Sequence, residues 1–287
     1  MSATRLLPRT ALAAAACLLA WSSLSAAASD PPVTDAATLA TLDRVLAGDH
    51  RSEKNRARDA WRHPKETLSF FGLKQDMTVL EVWPGGGGWY TEVLAPTLRE
   101  QGQFIVASWD PKSESKYVQE NSKKFAAKLA ERPNLYDRAK VVALQAPNEL
   151  KPVPDASVDM VLTFRNVHGW MEDASAEAMF KAMYAALKPG GILGVVEHRA
   201  SNDKPQDPKA ESGYVRTDYA IALAGKAGFE LIGQSEINAN PKDTTDHPNG
   251  VWSLPPTLDG GDVDREKFVA IGESDRFTLR FRKPEGK

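Results

Sequence analysis

The stretch from Met77 to Thr91 constrains the fold most, because a short apolar segment runs directly into four consecutive glycines. The apolar residues from Val79 to Val82 suit a strand buried on both faces, with the single carboxylate Glu81 near its end. Gly85 to Gly88 lack β-carbons, so backbone N–H groups there can approach a ligand and lead into a helix near Tyr90. A tight turn without a ligand is the alternative, but four glycines cost more chain entropy than a turn requires. The stretch therefore predicts a ligand-binding strand–turn–helix unit.

The N-terminus has the three parts of a secretory signal peptide. Arg5 and Arg9 precede an apolar, alanine-rich run at 10–21, and small residues follow at 25–28. We expect cleavage after Ala27 or Ala28, which assigns residues 1–28 to the signal and predicts export, to the periplasm. The apolar run is too short to span a bilayer, so no stable membrane anchor is expected. A lipoprotein signal ending at Cys17 is a weaker match, because it lacks the usual leucine and leaves almost no apolar core before it.

Length and charge limit the function classes. The chain has 287 residues and 42% hydrophobic residues, enough for one large α/β domain with a full core. Its 36 basic and 38 acidic residues are nearly balanced, which does not favour a nucleic-acid or membrane-surface partner. The single cysteine lies inside the predicted signal, so the mature chain would fold without a disulfide.

A leader at 29–64 precedes the predicted main domain. Apolar residues at helical spacing predict a helix from Ala37 to Leu46. The run from Asp49 to Pro64 is rich in arginine and acidic residues. It suits either a solvated helix face with charge pairs or a segment across the mouth of the ligand site, where an arginine could hold a carboxylate.

The domain at 65–287 alternates strand and helix patterns at regular spacing, which predicts a parallel, doubly wound sheet with helices on both faces. Residues 238–274 form a long excursion rich in proline, glycine and aspartate, which is too long for an ordinary connection. Such an insertion is typically disordered or functional, for example as a lid. Arg276 to Arg282 then alternates apolar and charged residues, which predicts a final antiparallel strand.

Three motifs in this order resemble those of the class I S-adenosylmethionine-dependent methyltransferases. They are Leu80 to Gly88 (LEVWPGGGG), Pro152 to Val161 (PVPDASVDMV) and Leu187 to Leu193 (LKPGGIL). The residues from Arg51 to Asp59 and onward through Arg199 also resemble an exported, poorly characterised branch of predicted methyltransferases. The resemblance covers roughly residues 65–284. It implies a Rossmann-like seven-stranded sheet, mostly parallel, with a C-terminal antiparallel hairpin.

The resemblance also implies S-adenosylmethionine as cofactor. By the family pattern, the first strand and its glycine loop lie beside the methionine part, an acid after strand two holds the ribose, and a residue after strand three lies near the adenine. The positions carried over are Glu81, Gly85, Gly86, Gly87, Asp110 and Asn148. Gln145 is the alternative to Asn148, and neither carries the charge that the family often has there. Trp83 stands where the family usually has glycine, so the loop could be displaced or the indole could wall the pocket.

Polar residues also follow strands four and five, where the reacting groups of a parallel sheet gather. Strand four leads into Arg165 and His168, and strand five ends at Glu197 and His198. A histidine suits proton removal from a methyl acceptor, and Arg165 or Arg199 could orient an anionic one. Either histidine could instead be structural. A metal on these residues is not expected, because they have no recognisable ligand spacing.

Tyr214, Arg216 and Asp218 could line the same cleft, as could His247 and Trp252 of the insertion. Together these patterns predict an exported methyltransferase acting on an unknown small molecule. The alternative is a non-catalytic exported binding protein with a methyltransferase fold, which Trp83, the missing acid after strand three and the export signal favour.

Overall fold

A computed structural model of the chain describes Met1 and residues 33–286. The predicted signal at 1–28 and the start of the leader lie outside the described residues. Residues 33–286 belong to one compact unit. Among the described helices, none is both long and apolar enough to cross a membrane.

One seven-stranded sheet organises the domain, and its spatial order is β3-β2-β1-β4-β5-β7-β6. All neighbouring strands pair in parallel except β7, which runs antiparallel to both β5 and β6. This arrangement confirms the predicted fold class. The strands are β1 Thr78–Val82, β2 Gln103–Ser108, β3 Lys140–Ala143, β4 Val158–Phe164, β5 Leu187–His198, β6 Glu230–Ser235 and β7 Arg276–Arg282.

Helices connect the strands, and local signals set several of their ends. The Ser115 side chain accepts a hydrogen bond from the Val118 N–H and caps the longest helix. Gly72, at φ 79°, ends the helix before β1. The α-helices are α1 Ala36–Leu46, α2 Glu53–Arg56, α3 Asp59–Arg62, α4 Pro64–Phe71, α5 Thr91–Leu98, α6 Lys116–Glu131, α7 Pro133–Tyr136, α8 Val167–Glu172, α9 Ala176–Ala186, α10 Thr217–Ala227 and α11 Arg265–Ile271.

Two hydrophobic layers hold the sheet between them. One layer packs α8, α9 and α10 onto one face, around side chains such as Trp170 and Phe180. The other packs α1, α4, α5 and α6 onto the opposite face, around Phe71 and Leu94. Each fully buried side chain of this size stabilises the fold by about 1.5–3 kcal/mol. The central strands are thereby fixed, and their carboxyl ends form a rigid edge.

The charged run from Asp49 to Pro64 combines exposed residues with buried ion pairs, so the predicted solvated face describes only part of it. Arg51 is 1% exposed and makes two 2.7 Å hydrogen bonds to the Asp59 carboxylate. Arg62, also 1% exposed, donates to Glu273 at 2.9 Å. Lys54 and Arg56 remain exposed, as predicted for a solvated face, whereas Arg62 is buried and supports the site through Glu273.

Candidate active site

The main crevice lies at the carboxyl ends of β1, β2 and β4. In the sheet β1 lies between β2 and β4, so the chain connections diverge here, which is where open α/β sheets bind ligands. The cavity has a volume of about 620 Å³, within the range of small-molecule sites. An adjoining cavity of about 230 Å³ extends toward β5. Both are lined by Trp83, Trp109, Tyr117, Arg165, Asn166, His168 and Trp252.

The glycine loop is divided between ligand access and packing. Gly85, at φ 70°, lines the smaller cavity, and both Gly85 and Gly87 have open space where a side chain would project. A β-carbon on Gly86 would lie 2.6 Å from Asn121 Oδ1, and one on Gly88 would lie 2.9 Å from the Phe125 ring. The Gly86 N–H donates to the Asn121 side chain at 3.2 Å. Two of the four glycines therefore serve close packing against α6, and only Gly85 of the predicted loop residues lines the crevice.

Glu81 points away from the crevice. It is 1% exposed and accepts a 2.7 Å hydrogen bond from Thr91 Oγ1 on α5. Burial raises the pKa of Glu81 to about 8, and the bond from Thr91 only partly opposes this. At neutral pH the side chain is therefore mostly an uncharged acid that ties β1 to α5, and it lines neither cavity.

The two other predicted cofactor residues also lie outside the cavity lining. Asn148 is exposed in a short turn, whereas Gln145 lines the larger cavity. Gln145 Oε1 accepts a 2.9 Å hydrogen bond from the backbone N–H of Asp110, whose own carboxylate accepts the Lys112 N–H at 2.8 Å. Of the two alternatives after β3, Gln145 is thus the one placed at the crevice, and it positions the turn that carries Asp110.

The cavity lining nevertheless fits a nucleoside cofactor. Trp109 and Tyr117 offer aromatic surface on one side, and Gly85 offers open backbone on the other. The side-chain amide of Asn166 bonds to the carbonyls of Val82 and Trp83, at 2.9 and 3.3 Å, which fixes the loop relative to β4. The volume, the flat aromatic walls and the open loop suit a ligand with a planar ring and a polar tail.

His168 and Glu197 form a hydrogen-bonded pair at the β4–β5 end of the crevice. Glu197 is fully buried on β5, and its Oε1 lies 3.1 Å from His168 Nδ1. It also accepts backbone N–H groups from Val167 at 2.6 Å, from His168 at 3.3 Å and from His198 at 2.8 Å. A carboxylate with this many donors is acceptor only, so His168 carries its proton on Nδ1. Its Nε2 is left with a lone pair, in a ring that lines the cavity.

His198 is built into the wall behind that pair. It is 8% exposed, and its Nδ1 lies 2.5 Å from Ser274 Oγ, which also accepts from Arg276 Nε at 3.2 Å. Burial, reinforced by His168 and Arg165, lowers the pKa of His198 well below its ordinary value. His198 is therefore neutral at pH 7, and of the two histidines it has the more fully bonded, structural environment.

The carboxylate of Glu273 lies among four guanidinium groups at this end, three of which donate hydrogen bonds to it while the fourth, Arg165, acts only through its charge. Glu273 accepts from Arg58 at 2.5 Å, from Arg62 at 2.9 Å and from Arg276 at 2.6 Å. Burial alone would raise the pKa of Glu273, but Arg62, Arg276 and Arg58 outweigh it and hold the pKa well below its usual range. The cluster therefore carries excess positive charge.

Arg165 is the cation of this cluster that faces the ligand space. It lines both cavities, and among the described residues no side chain accepts a hydrogen bond from its guanidinium. Burial, followed by repulsion from Arg276, lowers its pKa to about 10, so it stays charged at neutral pH. Arg199, the alternative predicted from sequence, instead makes two hydrogen bonds to Asp275 and pairs with Glu236. Arg165 is thus the arginine available to an anionic ligand.

The side chains of His168, Glu197 and His198 bring potential metal-ligand atoms within 4.8 Å of one another. Both oxygens of Glu197 already accept N–H groups, and positive charge from Arg165 and its neighbours adjoins the cluster. This environment opposes a cation and favours proton transfer or an anion.

The long insertion forms one wall of the crevice. Trp252 lines both cavities, and its ring centroid lies 6.0 Å from that of His168. Asp243 anchors the insertion by accepting the Tyr214 hydroxyl at 3.0 Å and facing His247 Nε2 at 2.8 Å. His247 and Tyr214 therefore serve this anchor, and Arg216 forms an exposed pair with Asp218.

Several lining residues were not predicted from sequence, among them Trp109, Tyr117, Glu273 and Ser274.

Glu273 and Ser274 had a signal in the sequence. They immediately precede β7, which pairs antiparallel with β5 so that Arg276 lies opposite His198. The beginning of an antiparallel strand lies at the same edge as the end of its partner. The predicted antiparallel orientation of β7 was therefore the available signal.

Comparisons with known proteins agree with this geometry. Residues 85–195 match the family model described as a methyltransferase domain. The chain is 26% identical over 208 residues to a sterol 24-C-methyltransferase of Aspergillus fumigatus, covering 68% of this chain and 49% of the relative. A second sterol 24-C-methyltransferase, from Gibberella zeae, is 25% identical over 231 residues, covering 76% and 53%. The chain thus spans about half the length of the curated relatives it matches.

Solved structures share the fold. A SAM-dependent methyltransferase from Aquifex aeolicus aligns with a TM-score of 0.52 at 16% identity. The alignment covers 85% of this chain and 98% of the Aquifex chain. The [4+2]-cyclase SpnF aligns with a TM-score of 0.53 at 20% identity, covering 84% and 86%. The domain match supports the enzyme hypothesis rather than the binding-protein alternative. Residues 85–195 therefore match a methyltransferase domain, and the seven-stranded sheet has the fold of a solved SAM-dependent methyltransferase.

Proposed function

We propose that the protein transfers a methyl group from S-adenosylmethionine to a hydroxyl group of a small anionic molecule, with His168 as general base and Arg165 holding the anion. The observation that carries this proposal is the pairing of the two residues. His168 is fixed through Nδ1 on Glu197, and Arg165 lines the same cavity without a hydrogen-bonded carboxylate among the described residues.

The cofactor would lie in the larger cavity, along Trp109 and Tyr117, and would reach the open backbone at Gly85 in the adjoining smaller cavity. When bound, it supplies an electrophilic methyl carbon on a sulfonium. Gly85 lines the smaller cavity together with His168, so a ligand held at the loop would direct its reactive end toward the histidine. Alignment of donor and acceptor is a large part of the catalysis of such a displacement.

The proton of the acceptor hydroxyl would pass to His168 Nε2. Because Glu197 holds the Nδ1–H, the ring keeps the tautomer that can accept, and the buried carboxylate stabilises the resulting imidazolium. His198 stays neutral beside it, which avoids a second positive charge next to the protonated ring. The pair therefore has the geometry and the charge needed for general-base catalysis.

The charge of the smaller cavity favours an anionic acceptor. Arg58, Arg62 and Arg276 share Glu273, which leaves Arg165 unneutralised at the cavity wall. An arginine can hold a carboxylate or phosphate through two parallel hydrogen bonds. This polar lining argues against a sterol as acceptor, although the curated relatives are sterol methyltransferases.

A transfer assay tests the proposal. Label from methyl-labelled S-adenosylmethionine is followed into hydroxybenzoates and hydroxylated aliphatic acids, with the corresponding uncharged alcohols as controls. We expect transfer to acids only, with Arg165→Met raising KM by at least about tenfold, the lower range for a lost charge-assisted bond. Arg132→Met is the matched control, because Arg132 pairs with Asp49 at the surface. Transfer to the uncharged alcohols that is equal to transfer to the acids would refute the anionic acceptor.

We also propose that the enzyme is exported to the periplasm. Arg5 and Arg9, the apolar run at 10–21 and the small residues at 25–28 support this. N-terminal sequencing of the protein from a fractionated native host is expected to begin at Ala28 or Ser29. An unprocessed chain in the cytosolic fraction would refute export.

A further inference from the structure

Trp83 adopts a backbone conformation that a bulky residue rarely has. Its φ is 47°, in the left-handed region that favours glycine. The Trp83 N–H donates to the Ala107 carbonyl at 2.9 Å, and its own carbonyl accepts from Asn166 at 3.3 Å. The backbone is therefore fixed on both sides, and the strained conformation serves to direct the indole.

The indole extends from the end of β1 across the ends of three neighbouring elements. Its Nε1–H donates to the Leu144 carbonyl after β3 at 2.7 Å. Its ring lies 5.6 Å from that of Trp109 after β2 and 5.9 Å from that of Trp170 on α8, centroid to centroid. A planar heteroaromatic ring with one N–H donor thus lines the crevice at the carboxyl end of β1.

The same ring, together with Gln145 and Asp173, borders two cavities. On one side lies the crevice of about 620 Å³, bounded by Trp109 and Tyr117. On the other lies a cavity of about 560 Å³, bounded by Pro147 and Leu150. Rotation of the indole would join the two spaces and free the Leu144 carbonyl, which is an acceptor for an N–H group on a flat ring.

We propose that the Trp83 indole occupies the nucleobase position of the cofactor site, and that the cofactor binds by displacing it. This rests on the proposed function, because it concerns the same cofactor. A purine with an exocyclic amine offers the same chemistry as the indole, namely a planar ring and an N–H donor for the Leu144 carbonyl. The observed affinity is then the affinity of the open form multiplied by the fraction of molecules in which the indole is already displaced.

Calorimetric titration with S-adenosylhomocysteine tests the displacement. Trp83→Gly removes the ring and suits the left-handed backbone. We expect it to bind at least about tenfold more tightly than the wild type, as expected when a competing closed state is removed. Trp83→Phe keeps a ring without the N–H, and its affinity for S-adenosylhomocysteine is expected to lie between those of the wild type and Trp83→Gly. Equal or weaker binding by Trp83→Gly would show that the indole is a supporting wall and would overturn the proposal.

A spectroscopic measurement follows the wild-type chain and needs a variant only to assign the resonance. With 5-fluorotryptophan in the wild-type chain, ¹⁹F NMR should show the Trp83 resonance, assigned from Trp83→Phe, shifting on saturation with S-adenosylhomocysteine. Trp61, which packs on Gly272 away from the crevice, is the internal control and should not shift. A saturated protein with an unchanged Trp83 resonance would overturn the displacement.

Failure of the displacement and failure of the proposed function give different results. Binding of equal strength by the wild type and all Trp83 variants, with an unchanged Trp83 resonance, overturns the displacement alone. If neither the wild type nor Trp83→Gly binds S-adenosylhomocysteine or S-adenosylmethionine, the proposed function fails, and the displacement fails with it.

Discussion

The two ends of the crevice are built by different means. At the β1–β2 end the lining is aromatic rings and open backbone, while the carboxyl groups of Glu81 and Asp110 are directed elsewhere. At the β4–β5 end the lining is formed by charged side chains, and the carboxylates of Glu197 and Glu273 each accept several hydrogen bonds. The first end is therefore shaped by ring packing and backbone, whereas the second is shaped by buried charges.

Glu197→Gln tests the fixed end most severely. The amide can no longer accept at both oxygens, so the His168 tautomer is lost and the base is disabled. We expect turnover to fall about 10²–10⁴-fold, the usual contribution of a general base, with affinity for S-adenosylhomocysteine unchanged. Methyl-transfer kinetics and ¹⁵N chemical shifts of the His168 ring report the two effects. Unchanged turnover would show that Glu197 is only structural.

Glu273→Gln should cause the largest loss of stability. It leaves Arg58, Arg62 and Arg276 buried without their shared carboxylate, which typically costs about 3–5 kcal/mol. Urea denaturation at pH 7 measures the free energy of unfolding. Asp43→Asn is the control, because Asp43 forms an exposed pair with Lys65. Its replacement should lower the free energy of unfolding by less than about 1 kcal/mol.

The pH dependence of the wild type and Glu273→Gln adds a second check. Since the pKa of Glu273 is lowered in the folded state, its contribution is present above the ordinary carboxyl pKa and is lost as pH falls. The wild type should therefore lose stability on acidification more steeply than Glu273→Gln. A parallel dependence in both proteins would contradict the conclusion that a buried carboxylate fixes this end.

Glu81→Gln tests the β1–β2 end of the crevice, where the pKa of the buried carboxyl group is raised rather than lowered. The folded-state pKa of about 8 exceeds the ordinary value of 4.5, so the folded protein holds a proton that the unfolded chain releases between these values. Stability of the wild type should fall as pH rises through that window, by at most about 1.4 kcal/mol per pH unit from this group. In Glu81→Gln that contribution is absent, and urea denaturation at pH 5 and pH 8 should reveal the difference.

Lys226→Met should change the stability of the protein least among these variants. Lys226 pairs with Glu177 on the surface, 2.8 Å apart and more than half exposed on both sides. Such pairs contribute about 0–1 kcal/mol, so thermal unfolding should hardly change. A loss comparable to that of Glu273→Gln would show that ion pairing itself, rather than burial, sets the size of the effect.

The fold was largely predictable because its signals are local. Apolar segments bounded by glycine and proline indicated β1 to β5, and the alternation after Arg276 indicated β7. The proximity of His168 and Glu197 was predictable for the same reason. His168 and Glu197 follow or end adjacent parallel strands, and the carboxyl ends of such strands meet at one edge.

The errors concern side-chain direction and long-range pairing. Glu81 belongs to β1, where side chains project from the faces of the sheet, so it meets Thr91 on α5 instead of the crevice. Trp83 lies beyond the strand end and is directed along the edge. Arg62 resembled part of a solvated run because its partner Glu273 is distant in sequence. No local pattern contains such pairings.

The most direct test combines binding and turnover in His168→Ala. We predict that S-adenosylhomocysteine binds this variant within about threefold of the wild-type Kd, because His168 belongs to the acceptor end, while methyl transfer falls about 10²–10⁴-fold. Loss of cofactor binding in His168→Ala, or full methyl transfer without the histidine, would contradict the division of the crevice into a cofactor end and an acceptor end.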